Sequence, residues 1–162
     1  MPQTFISSYK AEAIAEYHSL KQAADEALAR VDDAAFFKRL RAGGDEHTNS
    51  IAILVKHLAG NLRSRWVDFL TTDGEKPDRF REREFLAEAG ESRAQIMQRW
   101  ERGWQTLFAA LAALQAADFS RTITIRGEPH TVLRAIHRIL AHAAQHVGQI
   151  DLLTTLLNET SQ

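Results

Sequence analysis

The chain contains no cysteine among its 162 residues. This absence excludes disulfide bonds, zinc sites built on thiolates and protein thiol nucleophiles. Only three prolines and eight glycines are present, so long uninterrupted stretches are free to form helices. Neither sign of charge is in excess, because 20 basic and 21 acidic residues give a formal net charge of −1. The charge balance therefore gives no support to a nucleic-acid-binding surface or to attraction by acidic lipid.

Long apolar runs are missing as well. No apolar stretch approaches the ~20 residues that cross a bilayer. The first residues also lack the basic segment and apolar run that are typical of a signal peptide. We therefore expect a cytoplasmic protein that binds neither membrane nor nucleic acid. With 44% hydrophobic and 25% charged residues, the composition and length fit one globular domain over residues 1–162.

Apolar residues recur every three or four positions in four long segments, which is the spacing of amphipathic helices. These segments are residues 4–30, 45–70, 86–117 and 131–157. Thr131 follows Pro129 closely and is a suitable N-cap for the last helix. The polar stretch 71–85 contains glycine and proline and predicts a long loop.

A short β-branched segment interrupts this helical pattern. Residues 122–125 read Thr-Ile-Thr-Ile and precede Gly127, which predicts an extended piece that ends in a turn. Four amphipathic helices with one extended insert before the last helix predict an all-α fold, and a four-helix bundle is its natural architecture.

Two of the seven histidines, His142 and His146, lie one helical turn apart in the segment HAAQH. This spacing lets both imidazoles reach one metal ion at about 2.0–2.1 Å. The best candidate for a third ligand is His57, in the predicted second helix. His57 lies off the main apolar stripe, which suits either a surface residue or a cleft between two helices. The other histidines are interpreted as solvated or locally hydrogen-bonded side chains: His18, His47, His130 and His137.

Two segments resemble the DinB-like superfamily of bacterial four-helix proteins, in a subgroup described mainly as proteins of unknown function. They are KHLAGNLRSRWVDFLTTDGEKPDRFREREF at residues 56–85 and TIRGEPHTVLRAIHRILAHAAQHVGQIDLL at residues 124–153. The spacing of helices is similar across essentially the whole chain. The resemblance implies an up-down-down-up bundle, often dimeric, with one histidine ligand in the second helix and a His-x-x-x-His pair in the last. Carried over to this sequence, the ligands are His57, His142 and His146, and the ion is zinc or nickel.

Three neutral imidazoles leave a fourth coordination position for water or a substrate atom, as in catalytic sites. Characterised DinB-like enzymes include transferases and an isomerase that use low-molecular-weight thiols such as bacillithiol or mycothiol. The resemblance therefore implies a small-molecule substrate and a thiol cosubstrate, and the lack of cysteine fits a thiol supplied from outside. A metal–hydroxide hydrolase fits equally well. The competing hypotheses are a non-catalytic, stress-related or dimerising bundle that retains the ligands, and a ligand-binding bundle without metal.

The sequence identifies no general base, so the catalytic residues are unassigned. Gln145, Gln149 and Asn61 lie near the three histidines along their helices, either as partners that orient the imidazoles or as ordinary polar residues. Arg134 and Arg138 precede the histidine pair and could meet an anionic substrate, although a solvated surface is the simpler interpretation. In a metal site, the ligand nitrogens should lie within about 4 Å of one another.

Overall fold

The computed structural model describes residues 3–43, 46–86 and 90–159. Helices dominate it, so the all-α prediction is confirmed. The four long helices are α1 (Gln3–Ala29), α3 (Ile51–Trp66), α5 (Arg93–Ala113) and α6 (Val132–Glu159). The short ones are α2 (Asp33–Phe37), α4 (Arg81–Glu84) and a 3-10 helix (Ala116–Ser120). Two antiparallel hairpins pair β1 (Arg41–Gly43) with β2 (Glu46–His47), and β3 (Thr122–Ile125) with β4 (Glu128–Thr131). Within the described ranges, no helix is both long and apolar enough to cross a bilayer.

Capping side chains explain why two helices begin later than predicted. The second long helix begins at Ile51, where Ser50 caps its first turn; its predicted start at residue 45 lies outside the described residues. The third begins after Ser92, which forms a capping box with Gln95. Both caps satisfy backbone N–H groups that have no partner inside the helix.

The segments around the last helix differ in part from their predictions. The predicted extended piece is confirmed, and it is the first strand of the β3–β4 hairpin, with Gly127 at φ +75° in the turn. The hydroxyl of Thr131 accepts a hydrogen bond from the backbone N–H of Arg134 at 3.1 Å, as its predicted capping role requires. The prediction of a loop throughout residues 71–85 is wrong at its end, because α4 forms there.

The four long helices contact one another in a closed ring, in which α1 touches α5 and α6, and α3 touches the same two helices. The closest approach is between α3 and α5, where a Cβ on Gly103 would lie 3.0 Å from the carbonyl oxygen of Ala59. Between α1 and α6, the hydroxyl of Tyr17 donates to the carbonyl oxygen of Ile136 at 2.8 Å. The largest fully buried side chains fill the core: Trp66, Trp100, Trp104, Tyr17 and Phe36.

Helix α3 is enclosed on nearly all sides. Every residue in it is buried except Gly60 and Arg63, because α5, α6 and α4 all pack against it. His57 is only 5% exposed, so the surface interpretation of this histidine is wrong. His57 lies off the apolar stripe, which suggested a solvent-facing position, but this helix has no broad solvent-facing side.

The segment between α3 and α4 is tied to the β3–β4 hairpin. The Asp73 carboxylate accepts hydrogen bonds from the backbone N–H groups of Arg126 and Gly127, each at 2.8 Å. The N–H of Gly74 donates to the carbonyl oxygen of Thr124 at 2.8 Å. These contacts hold the chain that leads into α4 against the body of the protein.

Asp73 should make the stability of the protein depend on pH in the acid range. Burial acts to raise the pKa of Asp73, but hydrogen bonds from the backbone N–H groups of Gly127, Glu75 and Arg126 outweigh it and lower the pKa from 3.8 to about 2. A carboxyl group whose pKa is lower in the folded state stabilises the protein fully above its unfolded-state pKa, and this stabilisation is lost as the pH falls through the folded-state pKa. We expect Asp73→Asn to lower the free energy of unfolding by about 1 kcal/mol at neutral pH, and the difference from the wild type to shrink below about pH 4.

Urea unfolding followed by circular dichroism at several pH values measures this difference. Glu12→Gln, which removes an exposed carboxylate from α1, is the control and should show no such pH-dependent gap. An Asp73→Asn protein as stable as the wild type at neutral pH would contradict the anchoring role.

Candidate metal centre

Three histidines from two helices converge on one point. His57 comes from α3, and His142 and His146 come from successive turns of α6. The Nε2 atoms of His57 and His142 are 3.3 Å apart, and those of His142 and His146 are 3.1 Å apart. All three residues offer a ligand atom within 4.8 Å of the others. The structure therefore brings together the three predicted residues in a cluster that could hold a metal ion.

These distances fit a tetrahedral ion. Two nitrogens that each lie 2.0–2.1 Å from a tetrahedral centre are separated by about 3.3–3.4 Å. The two Nε2 separations of 3.3 Å and 3.1 Å lie at or just below this value. These two pairs meet the expected limit of about 4 Å, and the ligand atoms of the third pair, His57 and His146, lie within 4.8 Å of each other. Nδ1 of His142 has no hydrogen-bond partner among the described residues, so without an ion its Nε2 could carry the proton and donate to only one of the two facing lone pairs. The donor set and its spacing thus match a divalent ion such as zinc.

The other ring nitrogens of two of the histidines are held by polar partners. Nδ1 of His57 lies 2.8 Å from Oε2 of Glu84, and Nδ1 of His146 lies 2.7 Å from Oε1 of Gln149. Because each of these oxygens accepts, Nδ1 carries the proton in both rings and Nε2 keeps its lone pair. In both residues the lone pair therefore points to the shared centre.

Glu84 forms part of a buried charged network. The guanidinium group of Arg79 donates two hydrogen bonds to its carboxylate, from Nε at 2.8 Å and from Nη2 at 2.9 Å. Burial acts to raise the pKa of Glu84, but hydrogen bonds from His57 and Arg79 outweigh it and lower the pKa. Glu84 is therefore an anion at neutral pH, and it can accept the Nδ1 proton of His57.

The sequence analysis missed Glu84. It lies in the stretch 71–85 that was predicted as a loop, and no periodicity marks it. The only signal was its place in FREREF, the end of the first segment that carries the family resemblance. Gly60 provides the space for this residue, since a Cβ there would overlap the Glu84 carboxylate.

Burial keeps His142 and His146 neutral. It lowers the pKa of His142, with further contributions from His146 and His57, to about 3. Burial also lowers the pKa of His146, and this effect outweighs the hydrogen bond that His146 donates to Gln149, which raises it. A histidine can bind a metal ion only in the neutral form, so both side chains are ready to coordinate at neutral pH.

The three candidate orienting residues have different environments. Gln149 holds His146, as described above. Asn61 is 7% exposed, and its Oδ1 has no hydrogen-bond partner among the described residues. Gln145 is exposed, and no hydrogen bond joins it to the three histidines in the described part of the chain. Of these three residues, Gln149 alone contacts one of the three imidazoles within the described part of the chain.

Glu84→Gln should weaken metal binding without unfolding the protein. A neutral amide polarises the imidazole less than a carboxylate does, and removing such an outer partner typically costs about 10–100-fold in metal affinity. We expect a loss in this range for zinc, measured by competition with a chromophoric chelator. Gly60→Ala should weaken zinc binding in the same direction, because its methyl group displaces the Glu84 carboxylate while alanine favours the helix.

The matched control is Glu82→Gln, on the exposed side of α4. It should bind zinc as the wild type does. Wild-type affinity in the Glu84→Gln and Gly60→Ala proteins would show that the contact between Glu84 and His57 does not support the metal site.

The chain matches one family model. The model is described as a protein of unknown function, DUF1572, and the match covers residues 4–162. No curated protein matches the chain.

Proposed function

The chain belongs to the DUF1572 family of proteins of unknown function, and we propose that it is a metal-dependent enzyme of the DinB-like superfamily. Its divalent ion, zinc or nickel, is held by His57, His142 and His146. The observation that carries this proposal is the convergence of three histidines, with two Nε2–Nε2 distances near the spacing of a tetrahedral ion and all three ligand atoms within 4.8 Å of one another. Three protein ligands are the number found in catalytic zinc sites, which keep one position open.

The bundle that carries this site is up-down-down-up in our proposal. Helices α1 and α5 run in opposite directions, because early residues of one contact late residues of the other: Lys10 with Leu114, and Lys21 with Glu101. Helices α1 and α6 run in the same direction, because the order of their contacts is preserved: Tyr17 with Ile136, and Arg30 with Asp151.

The direction of α3 follows from its contacts with α6. His57 faces His142, whereas Arg65, further along α3, shares a cavity wall with Arg138, which lies earlier on α6. These two helices are therefore antiparallel, and α1, α3, α5 and α6 run up, down, down and up. This arrangement supports the likeness to the DinB-like superfamily.

The reaction we propose is the transfer of a low-molecular-weight thiol to a small-molecule electrophile. An ion on three neutral imidazoles acts as a Lewis acid that lowers the pKa of a thiol or water at its open position. The chain itself has no cysteine, so the sulfur nucleophile comes from the cosubstrate. In the transfer, the sulfur forms a bond to an electrophilic carbon, a leaving group departs from that carbon and the thiol proton passes to solvent.

The protein residues prepare the ligands for this role. Glu84 accepts a hydrogen bond from Nδ1–H of His57 and Gln149 accepts one from Nδ1–H of His146, which orients both rings before an ion arrives. Glu84 is itself held by two hydrogen bonds from Arg79. It therefore acts as a positioning residue, and a role as the general base is not assigned to it.

The proposal predicts that His146→Ala abolishes tight metal binding and leaves the helical fold intact. The loss of one of three ligands removes a coordinate bond, whereas apolar packing supplies most of the stability of the helices. Metal content after dialysis against zinc or nickel measures binding, and far-ultraviolet circular dichroism measures helicity. His18→Ala, on the exposed side of α1, is the control and should retain the metal.

Activity is tested with the metal-loaded protein, using bacillithiol or mycothiol as the thiol and 1-chloro-2,4-dinitrobenzene as the electrophile. We expect metal-dependent release of chloride, which is lost in His146→Ala. A wild-type protein that binds no metal would overturn the whole proposal. Metal binding without turnover of any thiol would instead support the alternative, a non-catalytic metal-binding helical bundle.

Two further expectations from the sequence stay predictions. The DinB-like resemblance implies a homodimer, which light scattering coupled to size-exclusion chromatography measures. The cytoplasmic location is also an expectation, and fractionation of the producing cells measures it.

A further inference from the structure

A cavity of about 190 Å³ lies beside the histidine cluster. His57 and His142 form part of its wall, so a molecule in the cavity reaches the metal centre. Four arginines also line it: Arg65, Arg81, Arg126 and Arg138. No carboxylate lines this cavity in the described part of the chain.

The arginines are only partly neutralised. Arg65 and Arg126 share a single carboxylate, that of Glu75, at 3.0 Å and 2.8 Å. Arg81 and Arg138 form no ion pair with any carboxylate among residues 3–43, 46–86 and 90–159. Four guanidinium groups thus face one carboxylate, and two of them are free to bind an anion.

The positive charge of arginines near the cavity also affects the pKa of the buried His130 side chain. Burial lowers the pKa of His130, and Arg138 and Arg134 lower it further. Arg138 therefore lines the cavity and also acts on the neighbouring side chain of His130.

Asn61 adds an unpaired polar group to the cavity. It lines the wall, it is 7% exposed, and its Oδ1 has no hydrogen-bond partner within the described residues. An unsatisfied buried polar atom costs about 1–3 kcal/mol. Because Oδ1 is an acceptor, a ligand that carries an N–H or O–H group beside the histidine cluster would complete its hydrogen bonds.

We propose that this arginine-lined cavity binds an anionic group, a carboxylate or a phosphate, on a small molecule that reacts at the histidine cluster. This inference rests on the proposed metal-dependent function and deepens it, since it names the substrate class. Arg81 and Arg138 bind the anion, Asn61 hydrogen-bonds the adjoining polar atom, and the reactive end of the molecule lies against His57 and His142. Guanidinium groups suit this role because their fork of N–H donors matches the oxygens of carboxylates and phosphates.

The test uses the protein loaded with Co²⁺, whose visible spectrum reports ligands that enter the metal site. Two probes carry the same thiol on the same chain length and differ only in charge: 3-mercaptopropionate and 3-mercaptopropionamide. We expect the wild type to bind the anionic probe about 10-fold more tightly than the neutral one. The double variant Arg81→Gln, Arg138→Gln should lose this preference and keep its affinity for Co²⁺ and for the amide.

The control is Arg102→Gln, an exposed arginine of α5 that does not line the cavity. It should preserve the preference for the anionic probe. Equal affinities for the two probes in the wild type, or an unchanged preference in the double variant, would overturn the inference. Competition by inorganic phosphate and by acetate distinguishes the two anions, and the stronger competitor identifies the group that the cavity binds.

Binding of Co²⁺ distinguishes a failure of the proposed metal-dependent function from a failure of the anion site. If the wild type does not bind Co²⁺, the metal-dependent function is wrong. The anion site is then tested on the metal-free protein by calorimetric titration with inorganic phosphate. Binding that weakens in the double variant supports the site, and no heat of binding in the wild type contradicts it.

Discussion

The buried hydrogen bond between the imidazole of His57 and the carboxylate of Glu84 is the interaction on which the arrangement of the histidine cluster depends. Enclosure of α3 removes water from His57, and Glu84 replaces that water as the acceptor for Nδ1. Glu84 is a buried anion, and it is tolerable there because Arg79 pairs with it in two hydrogen bonds. Breaking such a pair by removing one partner costs about 3–5 kcal/mol, so each member constrains the others.

This network also explains features that are otherwise unrelated. Gly60 is required where Glu84 crosses α3, and the hydrogen bonds of Asp73 and Gly74 hold the chain that carries Arg79 and Glu84.

Positive and negative charges lie on different sides of the histidine cluster. The anion lies on the Nδ1 side of His57, burial keeps the imidazoles of His142 and His146 neutral, and the excess of guanidinium groups faces the neighbouring cavity. A cation on the three nitrogens and an anionic substrate beside it suit this division.

Much of the fold could be predicted from the sequence because its causes are local. Apolar spacing located the four long helices, the hydroxyl of Thr131 caps α6 as expected, and the β-branched run before Gly127 is a strand. The errors are also local in origin. The start of α5 was placed too early because the capping box of Ser92 and Gln95 sets the first residue of the helix. His57 was left between two interpretations, because a helix buried on nearly all sides has polar residues that one-sided periodicity assigns to solvent.

The sequence by itself determined the His142 and His146 pair, since residues four apart on a helix necessarily share a face. It also determined that no thiol of the protein takes part, because cysteine is absent. Tertiary structure alone decided that His57 meets this pair across 85 positions of the chain, that Glu84 and Arg79 lie behind it, and that four arginines from separate elements line one cavity. The physical reason is that helix geometry sets distances within a turn, whereas distances between helices follow only from how the whole set of buried side chains packs.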